Sequence, residues 1–131
     1  MIASAPSPAA KQTTRILVVD DNEDAAELLA TALRTHGHEV RIAHDAPTAM
    51  NVATSFAPEV AFLDIGLPVM DGYEVARRLR HDIPIQQMRI VALSGYGQQA
   101  DRERAARAGF DDYLVKPVEP TVLSQFLRSL Q

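Results

Sequence analysis

Five side chains in the 131-residue sequence have types and positions that suit one chemistry: Asp20, Asp21, Asp64, Ser94 and Lys116. Each follows a short apolar run: Ile16-Leu17-Val18-Val19, Val60-Ala61-Phe62-Leu63, Ile90-Val91-Ala92-Leu93 and Tyr113-Leu114-Val115. Three carboxylates gathered at one rim repel one another and are driven toward protonation unless a cation compensates. With no Cys in the chain and an all-oxygen donor set, Mg²⁺ or Mn²⁺ suits these residues better than zinc. Mg²⁺ keeps waters and completes its shell with phosphate oxygens, so the expected substrate carries phosphate. The Lys116 ammonium and the Ser94 hydroxyl then suit the other phosphoryl oxygens, where negative charge develops. Asp64, in the middle of the chain order and followed by the loop GLPVMDG, is the carboxylate best placed to act as nucleophile.

These residues need a scaffold that brings strand ends together. The apolar runs alternate with segments of helical period. A helix is expected over 22–35, with Asp21 or Asn22 as N-cap, Gly37 beyond its end and Ala25, Leu28, Leu29, Ala32 and Leu33 as its apolar stripe. Val40, Ile42 and Ala43 mark a shorter strand, alternating with charge as an edge strand does. Asp45 and Pro47 open a helix carrying Ala49, Met50, Val52, Ala53 and Phe56, which Pro58 closes. Further helices are expected over 73–80, with Val75, Ala76 and Leu79 apolar, and over 98–108, with Gly109 just past the end. A last helix from Pro120 directs Val122, Leu123, Phe126, Leu127 and Leu130 inward. Asp71-Gly72 reads as a turn in which Gly supplies a positive φ.

Five strands each followed by a helix imply an α/β, doubly wound, five-stranded parallel sheet, because parallel neighbours need right-handed crossovers. Ligands of such folds sit outside the carboxyl ends of the strands, where strand order reverses. The functional residues stand at those ends.

Composition narrows the function classes. The 13 basic and 17 acidic residues give a net charge of −4, which argues against nucleic-acid binding. No apolar run approaches the roughly 20 residues of a membrane span, so no membrane insertion is expected. Residues 1–14, MIASAPSPAAKQTT, lack the apolar core of a secretory signal and read as a flexible tail or linker, leaving 15–131 as one domain and a cytoplasmic location as the expectation. The four His residues read as solvated surface groups, and Arg102–Arg107, interrupted by Glu103, as a solvated helix face.

The segments RILVVDDN from Arg15, LDIGLPVMDGYE from Leu63, ALSGYG from Ala92 and DDYLVKP from Asp111 resemble the receiver domain of two-component response regulators, the CheY-like family. The resemblance implies a (βα)5 flavodoxin-like fold with strand order 2-1-3-4-5. It implies that Asp64 is the phosphoacceptor, taking a phosphoryl group from a histidine kinase or a histidine phosphotransfer protein in a phosphorelay. Asp21 and Asp64 would bind Mg²⁺ directly, Asp20 mostly through water, and the backbone carbonyl of Gly66 would be a further ligand. Ser94 would move to bond the acyl phosphate, Lys116 would pair with it, Tyr113 would be the aromatic switch, and the Lys116–Pro117 peptide would be cis. The output surface would lie on the fourth helix, fifth strand and fifth helix. The phosphodonor would dock near the first helix, where Ala26 and Ala30 are expected to form an exposed apolar patch. DDNEDAAE after the first strand resembles receivers attached to hybrid sensor histidine kinases.

Two alternatives stand beside this signalling switch, which would catalyse only its own phosphorylation and slow dephosphorylation. A Mg²⁺-dependent phosphohydrolase of the haloacid dehalogenase type would want a second Asp two residues after the first, where this chain has Gly66. A phosphorylation-independent pseudo-receiver would have no need of Asp20, Asp21, Asp64, Ser94 and Lys116 together. Gly66 offers no side chain to orient water and Tyr96 is bulky, so slow self-dephosphorylation is expected, with Tyr96 shielding the phosphoryl group.

Overall fold

A computed structural model describes residues 13–66, 71–82, 88–95 and 99–130. Five strands, β1 (Arg15–Val19), β2 (Glu39–Ala43), β3 (Val60–Asp64), β4 (Arg89–Ser94) and β5 (Asp112–Val115), alternate with five helices. The helices are α1 (Glu23–Thr35), α2 (Ala46–Phe56), α3 (Gly72–Asp82), α4 (Gln99–Arg107) and α5 (Pro120–Arg128). All strand pairs are parallel and the order is β2-β1-β3-β4-β5, so the order reverses at β1, which lies between β2 and β3.

Residues alternate along each strand between two cores. Leu17, Val19, Ala61, Leu63, Ile90 and Ala92 pack under α2, α3 and α4, where Ala49, Ala53, Val75, Leu79 and Ala105 meet them. Ile16, Val18, Val60, Phe62, Val91 and Leu93 face α1 and α5, meeting Ala26, Ala30, Leu33, Leu123 and Leu127. Phe62, wholly buried, takes the ring of Phe126 edge-on at 5.5 Å between centroids. With both faces covered, the central strands read as unbroken apolar runs.

Helix ends follow the expected punctuation. Asn22 caps α1 by accepting from the Ala25 amide, Asp45 caps α2 by accepting from Thr48, and Gly37 and Gly109 take positive φ of 91° and 101°.

Three expectations are corrected. The sheet-facing side of α1 is Ala26, Ala30 and Leu33, whereas Leu28 is 73% exposed, so Ala26 and Ala30 form no exposed patch. Two of the three buried positions on that face are alanines, whose methyl groups let the helix lie close on the sheet, and Leu33 fills the space at its C-terminal end. Val122 of α5 is 40% exposed, and burial falls on Leu123, Phe126 and Leu127. Gly72 is not a positive-φ turn residue but the first residue of α3, and Asp71 caps the helix by accepting from the Glu74 amide at 2.9 Å. His38 also departs from a purely solvated group: it is half-buried and its Nδ1 accepts the Thr14 amide at 3.1 Å. The calls on Tyr96 and on residues 67–70 of the loop after Asp64 lie outside the described residues, as do residues 1–12 of the tail.

Candidate functional site

The carboxyl ends of β1 and β3 flank the point where strand order reverses, and the acidic residues stand there. Carboxylate oxygens of Asp20, Asp21 and Asp64 all lie within 4.8 Å of one another. Asp20 is 2% exposed and Asp64 9%, while Asp21 faces solvent. The three offer a hard, all-oxygen donor set at one edge, which fits a divalent cation of the Mg²⁺ type.

Lys116, just past β5, reaches across β4 to this cluster. Its Nζ lies 3.2 Å from Asp20 Oδ2 and 3.5 Å from Asp64 Oδ2. Burial alone would push the ammonium's pKa down, but the Asp64 and Asp20 carboxylates outweigh it and hold it above the ordinary lysine range. The Lys116–Pro117 peptide is cis.

Backbone hydrogen bonds fix the carboxylates. Asp20 Oδ1 accepts the Asn22 amide at 3.0 Å, and Asp64 Oδ1 accepts the Gly66 amide at 3.0 Å, each closing a tight turn at its strand end. Ser94 ends β4 and is 2% exposed, and its carbonyl accepts the Lys116 amide at 2.7 Å. In the β3–β4 register Asp64 stands opposite Leu93, which places Ser94 one residue beyond it on the same rim.

Tyr113 lies opposite Ala92 on β5, half-buried, with the Arg102 guanidinium 4.7 Å from its ring centroid. A parallel contact ties α4 to α3: Arg104 stands 4.0 Å over the Tyr73 ring and 3.8 Å from Asp71 Oδ2. Burial, with Asp101 nearby, raises the Tyr73 pKa.

The structure thus clusters Asp20, Asp21 and Asp64, sets Lys116 against Asp20 and Asp64, and places Ser94 and Gly66 on the same rim. The sequence did not show that Gly72 packs against the backbone of Asp64 and Ile65, that His44 Nδ1 lies 3.0 Å from the Asp20 carbonyl oxygen, or that Arg102 and Arg104 lie over tyrosine rings, because each contact is made with a partner on another element. A glycine immediately before a helix-forming segment was the one visible signal among them.

The sequence matches the response regulator receiver domain family over residues 16–128. It is 36% identical over 113 residues to an uncharacterized 14.6 kDa protein of Leptolyngbya boryana, covering 86% of each chain. It is 36% identical over 118 residues to response regulator PleD of Caulobacter vibrioides, covering 90% of this chain and 26% of PleD. The chain therefore spans about a quarter of that relative's length. The crystal structure of a CheY-like response regulator receiver domain protein from Methanospirillum hungatei superposes with a TM-score of 0.81 at 29% identity, covering 90% of this chain and 93% of the other. With an Asp-rich rim at the switch point of a 2-1-3-4-5 sheet, a lysine bridging it and a family match across nearly the whole fold, the chain belongs to the response regulator receiver domains of two-component signalling.

Proposed function

We propose that the domain accepts a phosphoryl group on Asp64 from a phosphohistidine of a histidine kinase or histidine phosphotransfer protein, and that the modified rim alters its interaction surface. The observation that carries this reading is Lys116 Nζ lying between Asp20 and Asp64 beside three clustered carboxylates. In this reading Asp21 and Asp64 would hold Mg²⁺ directly, Asp20 would contribute mostly through water, and the Gly66 carbonyl would be a further ligand. The cation, when bound, offsets the charge of the phosphoryl oxygens.

The chain's own groups do the rest. An Asp64 oxygen forms the new bond to phosphorus as the P–N bond of the donor breaks, and the electron pair stays on the imidazole nitrogen. The Asp64 carboxylate is held in one orientation, because the Gly66 amide binds Oδ1 and Oδ2 lies toward Lys116. Lys116 then exchanges a carboxylate partner for a phosphoryl oxygen. Ser94 supplies a hydroxyl to another oxygen, and its movement is transmitted to β5 through its bond to the Lys116 amide. Tyr113 and the exposed side of α4, β5 and α5 form the responsive surface.

The docking site for the phosphodonor is a groove of about 580 Å³ between α1 and the segment leading into α5. Leu28, Leu29 and Ala32 line one side, Pro117, Val118 and Leu123 the other, and Asp20 and Lys116 close its end at the rim. The domain works as a switch and turns over no external substrate. Among the described residues no helix is long and apolar enough to cross a membrane; the fold needs no membrane to bury its apolar faces, and we read a cytoplasmic module.

Intact-mass spectrometry after incubation with Mg²⁺ and acetyl phosphate tests the reading. One phosphoryl adduct that requires the metal and disappears in Asp64→Asn is the expected result. Folded, metal-binding protein that acquires no adduct from either acetyl phosphate or a phosphorylated donor would overturn it in favour of a pseudo-receiver. Steady phosphate release without an adduct would overturn it in favour of a phosphohydrolase.

A further inference from the structure

The β1–β2 ladder runs in register from Arg15 opposite Glu39 to Val19 opposite Ala43, and its next bond is present too, the Asp20 amide donating to the Ala43 carbonyl at 3.1 Å. In a parallel ladder the Asp20 carbonyl would next accept from the backbone amide of residue 45. The chain instead leaves the sheet at Asp45, the N-cap of α2. The side chain of His44 takes the place of the missing donor, its Nδ1 lying 3.0 Å from the Asp20 carbonyl oxygen. A carbonyl only accepts, so Nδ1 carries the proton in this contact.

That carbonyl belongs to the planar peptide joining Asp20 to Asp21. Fixing its direction fixes the plane from which the Asp21 side chain departs. Asp20 has further restraints of its own, from the Asn22 amide and from Lys116. Asp21 is exposed, and the backbone sets the point and direction from which its side chain starts.

We propose that His44 is a positioning residue for the cation site, holding the Asp20–Asp21 peptide so that the Asp21 carboxylate converges with Asp64 before any ion arrives. The proposal rests on the reading that Asp20, Asp21 and Asp64 hold a divalent cation. Outer groups that orient metal ligands are commonly worth about 10- to 100-fold in affinity. The contact here acts through a peptide and at the exposed carboxylate, so the lower end applies.

The test is Mn²⁺ binding to the unphosphorylated protein, read from the electron paramagnetic resonance signal of free Mn²⁺, with the Asp21 amide followed by NMR under Mg²⁺ titration. His44→Ala is expected to weaken Mn²⁺ binding roughly tenfold with an unchanged circular dichroism spectrum. His44→Asn, whose side-chain amide reproduces a donor near Nδ1, is expected to restore binding to within about twofold of the parent. Parent-like affinity in folded His44→Ala overturns the proposal, as does a His44→Asn variant as weak as alanine. If the parent itself binds no Mn²⁺, the cation reading of the rim fails, and that outcome is separate from a failure of the His44 role.

Discussion

A methyl group on Gly72 would lie 2.4 Å from the Cα of Ile65 and 2.6 Å from the carbonyl oxygen of Asp64. The first residue of α3 is thus seated on the backbone that follows the central aspartate, and the Gly72 amide donates to the Ile65 carbonyl at 3.2 Å. Helix propensity alone favours Gly72→Ala by about 1 kcal/mol. The clash is with backbone, which has no rotamer to change, so the sign reverses. Gly72→Ala is expected to destabilise the fold by about 2 kcal/mol or more, as overpacking does, measured by urea unfolding.

The space above Asp64 invites a second substitution. A Cβ at Gly66 would meet Asp64 Oδ1 at 3.7 Å, an ordinary contact, so the first atom of a side chain is accommodated there. Glycine leaves no group to orient a water toward a phosphoryl group on Asp64. Gly66→Asn is expected to speed loss of the adduct by about tenfold through positioning, followed by intact mass after removal of the phosphodonor. An unchanged decay rate would show that the water is oriented from elsewhere.

Leu28 projects from α1 into solvent at the mouth of the α1–α5 groove. Leu28→Glu is expected to leave stability within about 0.5 kcal/mol, as surface changes do. It should slow transfer from a cognate histidine kinase while leaving the rate with acetyl phosphate within about twofold. Equal slowing with both donors would place the defect in the rim and not in docking. Ala26→Glu would be uninformative, because Ala26 is buried against the sheet and a charge there unfolds the helix face.

His38 gives the domain a defined response to acid. Burial, helped by the nearby His36, lowers its pKa below 6.5, and Glu59 opposes this only in part. Its Nδ1 accepts the Thr14 amide, which a protonated nitrogen cannot do. A folded-state pKa below the unfolded one means the neutral ring contributes stability above pH 6.5, and that stability is lost as pH falls through the folded value. The stability difference between the parent and His38→Gln is therefore expected to narrow between pH 7.5 and pH 5, measured by urea unfolding at each pH.

Strands were the most legible part of the fold, because a buried parallel strand is an unbroken apolar run and each run here ends abruptly in a polar residue. The convergence of Asp20, Asp21, Asp64 and Lys116 followed from the topology that such runs impose. Helix rotation was less legible: α1 carries alanines at 25, 26, 30 and 32 and leucines at 28, 29 and 33, so two apolar stripes compete. Hydrophobicity ranks the stripe with more leucines first, but the face that meets the sheet carries Ala26, Ala30 and Leu33, and which face meets the sheet is decided by tertiary packing. The same holds for Val122 beside Leu123. Gly72, His44 and Arg102 owe their roles to Ile65, Asp20 and Tyr113, and no spacing within one element encodes such pairs.

Helix α4 is joined to the body differently from its neighbours. Within α4 itself, among the residues whose burial is described, Ala105 is the buried one, and Arg102 and Arg104 lie over tyrosine rings of β5 and α3. Small apolar area and solvent-facing hydrogen bonds are the marks of a segment that opens independently of global unfolding. The amides of α4 should therefore exchange with deuterium well before those of β1 and β3. The sheet that aims the carboxylates is expected to stay closed while the helix beside Tyr113 opens, so a change of charge at the rim has a loosely held neighbour to act on.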